Sequence, residues 1–155
     1  RSYARTHHLD VVITRCSNNY GPFQFPEKVI PLFVTNLIDG GTVPLYGDGL
    51  NVRDWLHVDD HCAGIALALT KGRAAQVYNI GGQSEISIKA LAEKVIAQTK
   101  SNSKIEYIPY EQVYDQTFED MQRRIPDISK ISNLLNWKPK RDLTLIINDL
   151  VCDLV

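Results

Sequence analysis

Methionine occurs once, at Met121, and cysteine three times, at Cys16, Cys62 and Cys152. Thiols so few and so widely spaced exclude a disulfide framework and the paired spacing of a zinc site. They fit free, mostly buried thiols in a reducing cytoplasm, which is the expected location. An excess of either charge is also lacking: 17 Lys and Arg stand against 18 Asp and Glu, a net charge of −1. Nothing in that balance points to nucleic acid or a membrane surface as a partner. No apolar run approaches the roughly 18 residues that span a bilayer, and no secretory signal opens the chain. Gly-x-Gly-x-x-Gly, a Walker loop and a Gly-x-Ser-x-Gly elbow are all missing, so no self-contained catalytic motif is present. His57, Asp59, Asp60, His61 and Cys62 are metal-ligand residue types. They straddle a strand end and a helix start, so their side chains diverge; they read as a helix cap with solvated polar groups, and no metal is expected.

What is there is ordinary globular material. The chain has 155 residues, 44% apolar and 23% charged, which is one domain's worth or a piece of a longer protein. Residues 1–8 read as helix without an N-cap ahead of them. With Met121 as the only methionine, the chain is expected to be a C-terminal portion of something longer.

Strand and helix patterns alternate. Residues 11–15 form a continuous β-branched run typical of a buried parallel strand. Pro26 stands where a helix carrying Ile30, Phe33, Val34, Leu37 and Ile38 should begin, closed by Gly40-Gly41. Further strands are expected at 43–46, 52–58, 76–80 and 104–108. Asp59 or Asp60 should cap a helix to about residue 70, and Ser87 one carrying Ile88, Leu91, Ala92, Val95 and Ile96. Residues 109–126 lack a period and read as a long loop. Asp127 can cap a short helix, and a last helix carries Leu143, Ile146, Ile147, Leu150 and Leu154. The class is α/β.

Residues 17–28, SNNYGPFQFPEK, form an overlong connection after a buried strand, at the carboxyl end where α/β sheets place ligands. In residues 51–58, Val52, Asp54, Leu56 and Val58 share one face; Arg53, Trp55 and His57 share the other. An Arg fixed on a strand suits phosphate oxygens, although a surface Arg stacked on Trp is an equally local reading. Arg123-Arg124 and Lys28 could add cations to a diphosphate clamp, or be solvated. Asn79, at a strand end, is a ligand contact or a turn former. Gly47, Gly49 and Gly81-Gly82 read as turn glycines.

Five motifs occur in order: Cys16-Ser17-Asn18-Asn19-Tyr20-Gly21-Pro22, Phe25-Pro26-Glu27-Lys28, Pro44-Leu45-Tyr46-Gly47-Asp48-Gly49, Asn51-Val52-Arg53-Asp54-Trp55-Leu56 and Val77-Tyr78-Asn79-Ile80-Gly81-Gly82. Together they resemble the C-terminal half of the dTDP-glucose 4,6-dehydratase family, within the extended short-chain dehydrogenases that act on nucleotide-sugars. The resemblance implies the last parallel strands of a Rossmann-type fold over about residues 1–20, merging with a small substrate-binding domain over about 21–155. It implies a nucleotide-sugar ligand (dTDP- or UDP-hexose) and NAD as cofactor. The strands over 11–15 and 76–80 would belong to a sheet whose remaining strands are absent, and exposed apolar edges invite pairing, so a homo-oligomer is expected. Asn18 would contact the sugar nucleotide and Asn19 the NAD side. Lys28 and Val29 would lie along the nucleotide, with Pro44, Leu45 and Tyr46 as a wall against the base. Arg53 would bind the diphosphate, Asn79 would line the nucleotide pocket and Arg123 would complete the clamp. The family's glycine-rich NAD loop and Tyr-x-x-x-Lys pair would fall upstream of Arg1, because Tyr3 is followed by Thr6-His7. No catalytic residue is assigned, and the chain is expected to be inactive alone. The family's late Asp-Arg-Pro-Gly-His-Asp segment is replaced by a loop closer to UDP-sugar 4-epimerases and decarboxylases. A fragment of one of those enzymes is one alternative, and a non-catalytic binding module is another.

Overall fold

The structure, a computed structural model, describes residues 1–115, 119–145 and 147–148. Helix α1 (Ser2–His7) ends on His8 in the left-handed region, which turns the chain into β1 (Ile13–Cys16). At Ser17 the chain changes sheets: its N–H still bonds the Ile80 carbonyl, but Asn18–Tyr20 already form β2 against another strand. The turn at Phe25 to Lys28 then leads into α2 (Val29–Ile38), three residues later than Pro26 suggests. Strand β3 (Val43–Tyr46) follows, then β4 (Val52–His57), α3 (Val58–Lys71), β5 (Val77–Ile80), β6 (Glu85–Ser87) and α4 (Ile88–Thr99). Strand β7 (Ile105–Ile108), a 3-10 turn (Tyr110–Gln112), the two-residue β8 (Arg123–Arg124) and α5 (Ser129–Leu135) complete the order.

These strands form three groups. β1 and β5 pair in parallel, as do β3 and β7. β4 is the hub of the third group, parallel to β2 and β8 and antiparallel to β6. Parallel pairs joined through helices are the α/β arrangement expected from the alternation of patterns.

Two cores meet at β4. One gathers Tyr20, α2, β3, Trp55 and the inner face of α4, with Leu143 and Ile147. The other gathers Leu56, Tyr78, Ile80, Ile131 and Trp137 between α3, β5 and α5. Successive strand side chains point to opposite faces, so Trp55 enters the first core and Leu56 the second. The predicted apolar spacing of α2 holds at Ile30, Phe33, Val34 and Leu37, whereas Ile38 is exposed. The predicted Ile146, Leu150 and Leu154 lie outside the described residues.

Several expectations change. The run over 11–15 is not buried throughout: β1 is half-buried at Ile13 and Thr14 and exposed at Arg15 and Cys16. Among the described residues it pairs only with β5, so one edge of that sheet is open. The two described thiols are not buried either, since Cys16 and Cys62 are both exposed. Helix α3 is capped by His57, whose Nδ1 accepts the Asp59 N–H at 3.1 Å. Neither aspartate caps, because each is engaged elsewhere. Asp60 Oδ2 accepts the Lys140 and Arg141 N–H groups, each at 2.9 Å, and Asp59 pairs with the Arg141 guanidinium at 2.8 Å. Ser87 does cap α4, through the Ala90 N–H at 3.1 Å. Asp127 accepts the Ser129 N–H at 2.8 Å, which holds its carboxyl below the usual range.

A buried carboxylate locks β4 to the chain after β5. Asp54 is 1% exposed and accepts the Gly82 N–H at 2.7 Å and the Ser84 N–H at 2.8 Å. Gly82 is required because a Cβ there would collide with the Trp55 carbonyl. Asp54→Ala would strand both donors, one of them buried, and should cost about 3 kcal/mol. Urea unfolding of the variant against the parent chain measures this; an unchanged midpoint would mean that Asp54 is not the lock.

Candidate ligand cleft

A cleft of about 520 Å³ opens between β2, the start of α2, β3, β4 and the side chains of Tyr110, Tyr114, Asp120 and Arg124, a volume typical of small-molecule sites. β2 delivers Asn18 and Asn19 directly after the carboxyl end of β1, in register with Trp55 and Leu56 of β4. The amino end of α2 brings Lys28 and Val29 to the rim, and β3 brings Pro44, Leu45 and Tyr46. Arg53 comes from β4, on the same face as Trp55. Eight of the ten residues to which the resemblance gives a role therefore line one cavity.

Arg53 is the buried charge of this cleft, at 6% exposure. Its Nη1 donates to the Val52 carbonyl at 2.8 Å and its Nη2 to Asp120 Oδ1 at 2.6 Å. Lys28, by contrast, is exposed and lies 3.7 Å from Glu27. The Asn19 side chain donates to Cys16 Sγ at 3.2 Å, and the Asn19 main-chain carbonyl accepts from Gln24 Nε2 at 2.9 Å. Tyr46 meets Tyr114 edge to face, ring centroids 6.0 Å apart, so an aromatic corner bounds the far end. Gly47, with φ +65°, lies under the Tyr110 ring, where a Cβ would collide. Burial, then the carboxylates of Asp120 and Asp48, raise the Tyr110 hydroxyl above its usual range.

Two sequence candidates lie elsewhere. Asn79 is outside the cleft; its side chain donates to the Asp127 carbonyl at 3.0 Å and ties β5 to the start of α5. Arg123 is also outside, on the surface, in a forked pair with Glu85 at 2.9 and 3.1 Å. That pair holds the Glu85 carboxyl below its usual range. The neighbouring Arg124 faces the cleft instead and donates to Asn18 Oδ1 at 2.6 Å. The reason is register: β8 sets Arg124 opposite Arg53 and Arg123 opposite Val52, and neighbours across a ladder share a face. Asn51, Tyr110, Tyr114 and Asp120 were not singled out by the sequence. The Asn preceding Val52-Arg53 was a visible signal only for Asn51.

Three cleft-lining side chains, Asn19, Gln24 and Trp55, each keep one buried polar atom without a partner among the described residues: Oδ1, Oε1 and Nε1. An unmet buried polar atom costs about 1–3 kcal/mol. No group of His, Cys, Asp and Glu suited to a metal occurs among the described residues. Nor is any helix there long and apolar enough to cross a membrane.

Parallel strands joined by helices, with a cleft at a strand's carboxyl end, define a Rossmann-type α/β protein. A model of the GDP-mannose 4,6 dehydratase family matches residues 1–150, and the chain belongs to that family. It is 51% identical over 141 residues to a dTDP-glucose 4,6-dehydratase of Streptomyces antibioticus, covering 91% of this chain and 41% of that protein. A dTDP-glucose 4,6-dehydratase double mutant from Streptomyces venezuelae, solved with NAD and a second ligand, superposes with a TM-score of 0.88 at 46% identity, over 97% of this chain and 45% of that one. UDP-glucose 4-epimerase from Thermotoga maritima, solved with UDP-glucose, gives a TM-score of 0.86 at 28% identity, over 99% of this chain and 50% of that one. The chain thus spans less than half the length of the dehydratases it matches.

Tyr20, at 1% exposure, packs edge-on against Trp55 and His57 beside the cleft. Its hydroxyl has no partner among the described residues. Burial, then the carboxylates of Asp142, Asp60 and Asp54, push its ionisation well above the usual 10.0. The unfolded chain therefore loses this proton first as pH rises, so Tyr20 lends stability below about pH 10 that is lost above it. Tyr20→Phe should unfold at higher pH than the parent in an alkaline circular-dichroism titration. An unchanged alkaline limb would contradict the assignment.

Proposed function

We propose that this chain binds the nucleotide-sugar of an NAD-dependent 4,6-dehydratase, the whole enzyme turning dTDP-glucose into dTDP-4-keto-6-deoxyglucose. The observation that carries the reading is Arg53: a buried guanidinium on a strand packed on both faces, lining a cleft that Arg124 also reaches. A planar Arg fork in a desolvated site is suited to diphosphate oxygens. The amino end of α2 at the rim adds partial positive charge.

In this reading the diphosphate lies between Arg53 and Arg124, with Lys28 and Val29 along it. The base lies against Pro44, Leu45 and Tyr46. Asn18, hydrogen-bonded to Arg124, faces the sugar. Asn19 would help hold NAD: its orphaned Oδ1 is an acceptor that fits a donor of that cofactor. NAD, when bound, supplies reversible hydride uptake from the sugar. The residues of this chain bind, orient and exclude water; none is assigned a proton transfer. Residues 1–20 would belong to the cofactor side and 21–155 to the substrate side. Arg123 and Asn79 take supporting roles, tying β8 to β6 and β5 to α5.

A UDP-sugar 4-epimerase or decarboxylase is the second reading, favoured by the loop ending Arg123-Arg124-Ile125-Pro126-Asp127. Nucleotide choice separates the two. Titration with dTDP and UDP, followed by tryptophan fluorescence and calorimetry, should give tighter binding of dTDP for the dehydratase. Arg53→Ala should weaken diphosphate binding at least about thirtyfold, since a truncated buried charge contact costs about 2–5 kcal/mol. Arg124→Ala should weaken it about tenfold and Arg123→Ala less than about twofold, in line with exposed surface pairs. A folded chain that binds neither nucleotide, or an Arg53→Ala variant at full affinity, would end this reading.

The open edge of β1 leads us to propose a homo-oligomer as well, since unpaired strand edges recruit partners. Solution scattering should then give a mass above the 17.5 kDa of one chain. A monomer mass across the concentration range would rule it out.

A further inference from the structure

Arg53 already holds an anion. Its Nη2 is bonded to Asp120 Oδ1 at 2.6 Å, and the other oxygen of that carboxylate, Oδ2, accepts from Asn51 Nδ2 at 3.1 Å. The two partners are unequal in burial: the Arg53 side chain is 7% exposed and that of Asp120 is 35% exposed. Asp120 lines the same cleft. Asn51 is itself held, its Oδ1 accepting from the Tyr110 hydroxyl at 3.3 Å. The carboxylate therefore sits in a fitted seat, with a cation on one oxygen and an amide on the other.

That seat conflicts with a phosphate. Arg53 Nη1 is committed to the Val52 carbonyl, so an incoming oxyanion would take the Nη2 side that Asp120 occupies. Two anions sharing one desolvated donor repel by several kcal/mol. Leaving Arg53 with no anion is costly too, because a buried cation without a partner loses its compensation for desolvation. One anion at a time is the stable arrangement. Asp120, on the solvent side and carried by a short polar segment, is the partner able to leave.

We propose that Asp120 is an internal competitor for the diphosphate of a nucleoside diphosphate ligand. It compensates the charge of Arg53, and binding of the diphosphate displaces it. The inference rests on the nucleotide-binding reading and adds a residue that lowers affinity. Its consequence is a site that stays closed to weak monoanions and releases its diphosphate readily. Only a ligand with several phosphate oxygens, engaging Arg53 and Arg124 together, gains enough to displace the carboxylate.

Calorimetry on the intact chain tests this with inorganic pyrophosphate, dTDP, UDP and thymidine as probes. The variants are Asp120→Asn, which keeps the shape and one acceptor oxygen for Asn51 but removes the charge, Asp120→Ala, and Glu119→Gln as a control for net charge. Circular dichroism checks that each is folded. Both Asp120 variants should bind pyrophosphate and dTDP about tenfold or more tighter than the parent, with thymidine unchanged. Glu119→Gln should move neither by more than about twofold, as for an exposed charge. Equal or weaker diphosphate binding by the Asp120 variants would overturn the proposal, as would an equal gain in Glu119→Gln. If dTDP binds the parent and Asp120→Asn alike, the competitor fails and the nucleotide reading stands. If pyrophosphate tightens in Asp120→Asn but neither dTDP nor UDP binds either protein, the nucleotide reading fails and Asp120 stands as a competitor for pyrophosphate alone. If no anion binds any of them, both fall.

Discussion

Strand β4 is hydrogen-bonded to β2, β6 and β8 and packed on both faces, and the cleft depends on that double burial. A strand between two cores must alternate which core it feeds. Trp55 and Leu56 do this with apolar side chains. Arg53 and Asp54 do it with charges, and each charge is met on its own side. Asp54 is met by N–H groups of Gly82 and Ser84, and Arg53 by Asp120 and the Val52 carbonyl. Buried charges persist only when they are paired and hydrogen-bonded. The same constraint that fixes the strand also holds a cation rigid at the wall of a cavity.

Rigidity is the functional content of that arrangement. A surface Arg is free to turn toward solvent and loses side-chain entropy on binding. Arg53 is already held from both ends of its guanidinium. Arg124, placed on the same face by the register of β8 with β4, contributes a second cation from a more exposed position. The cleft pairs a fixed charge with an adjustable one.

Much of this was legible in the sequence. The period of two over residues 52–57 separates Arg53 and Trp55 from Asp54 and Leu56, as observed. The apolar spacing of α2 and α4 identified the core, and Ser87 was readable as a cap. What could not be read was long-range. Asn18–Tyr20 has the composition of a turn, and only the edge offered by β4 makes it a strand. Arg123 and Arg124 are indistinguishable until the pairing phase with β4 is known, because an aperiodic loop carries no phase of its own. His57 displaced two better capping residues only because residues 140–141, some eighty positions on, claim Asp60. Asp120 gave no signal, since its meaning comes from a partner 67 residues away.

A crystal structure of the chain with dTDP bound tests the account most directly. The account requires the diphosphate between Arg53 and Arg124, the base against Pro44 to Tyr46, and Asp120 moved off the Arg53 guanidinium. A nucleotide bound elsewhere, for example beside Arg1 and Arg5 at the outer cavity near β1, with Arg53 still held by Asp120, would contradict it.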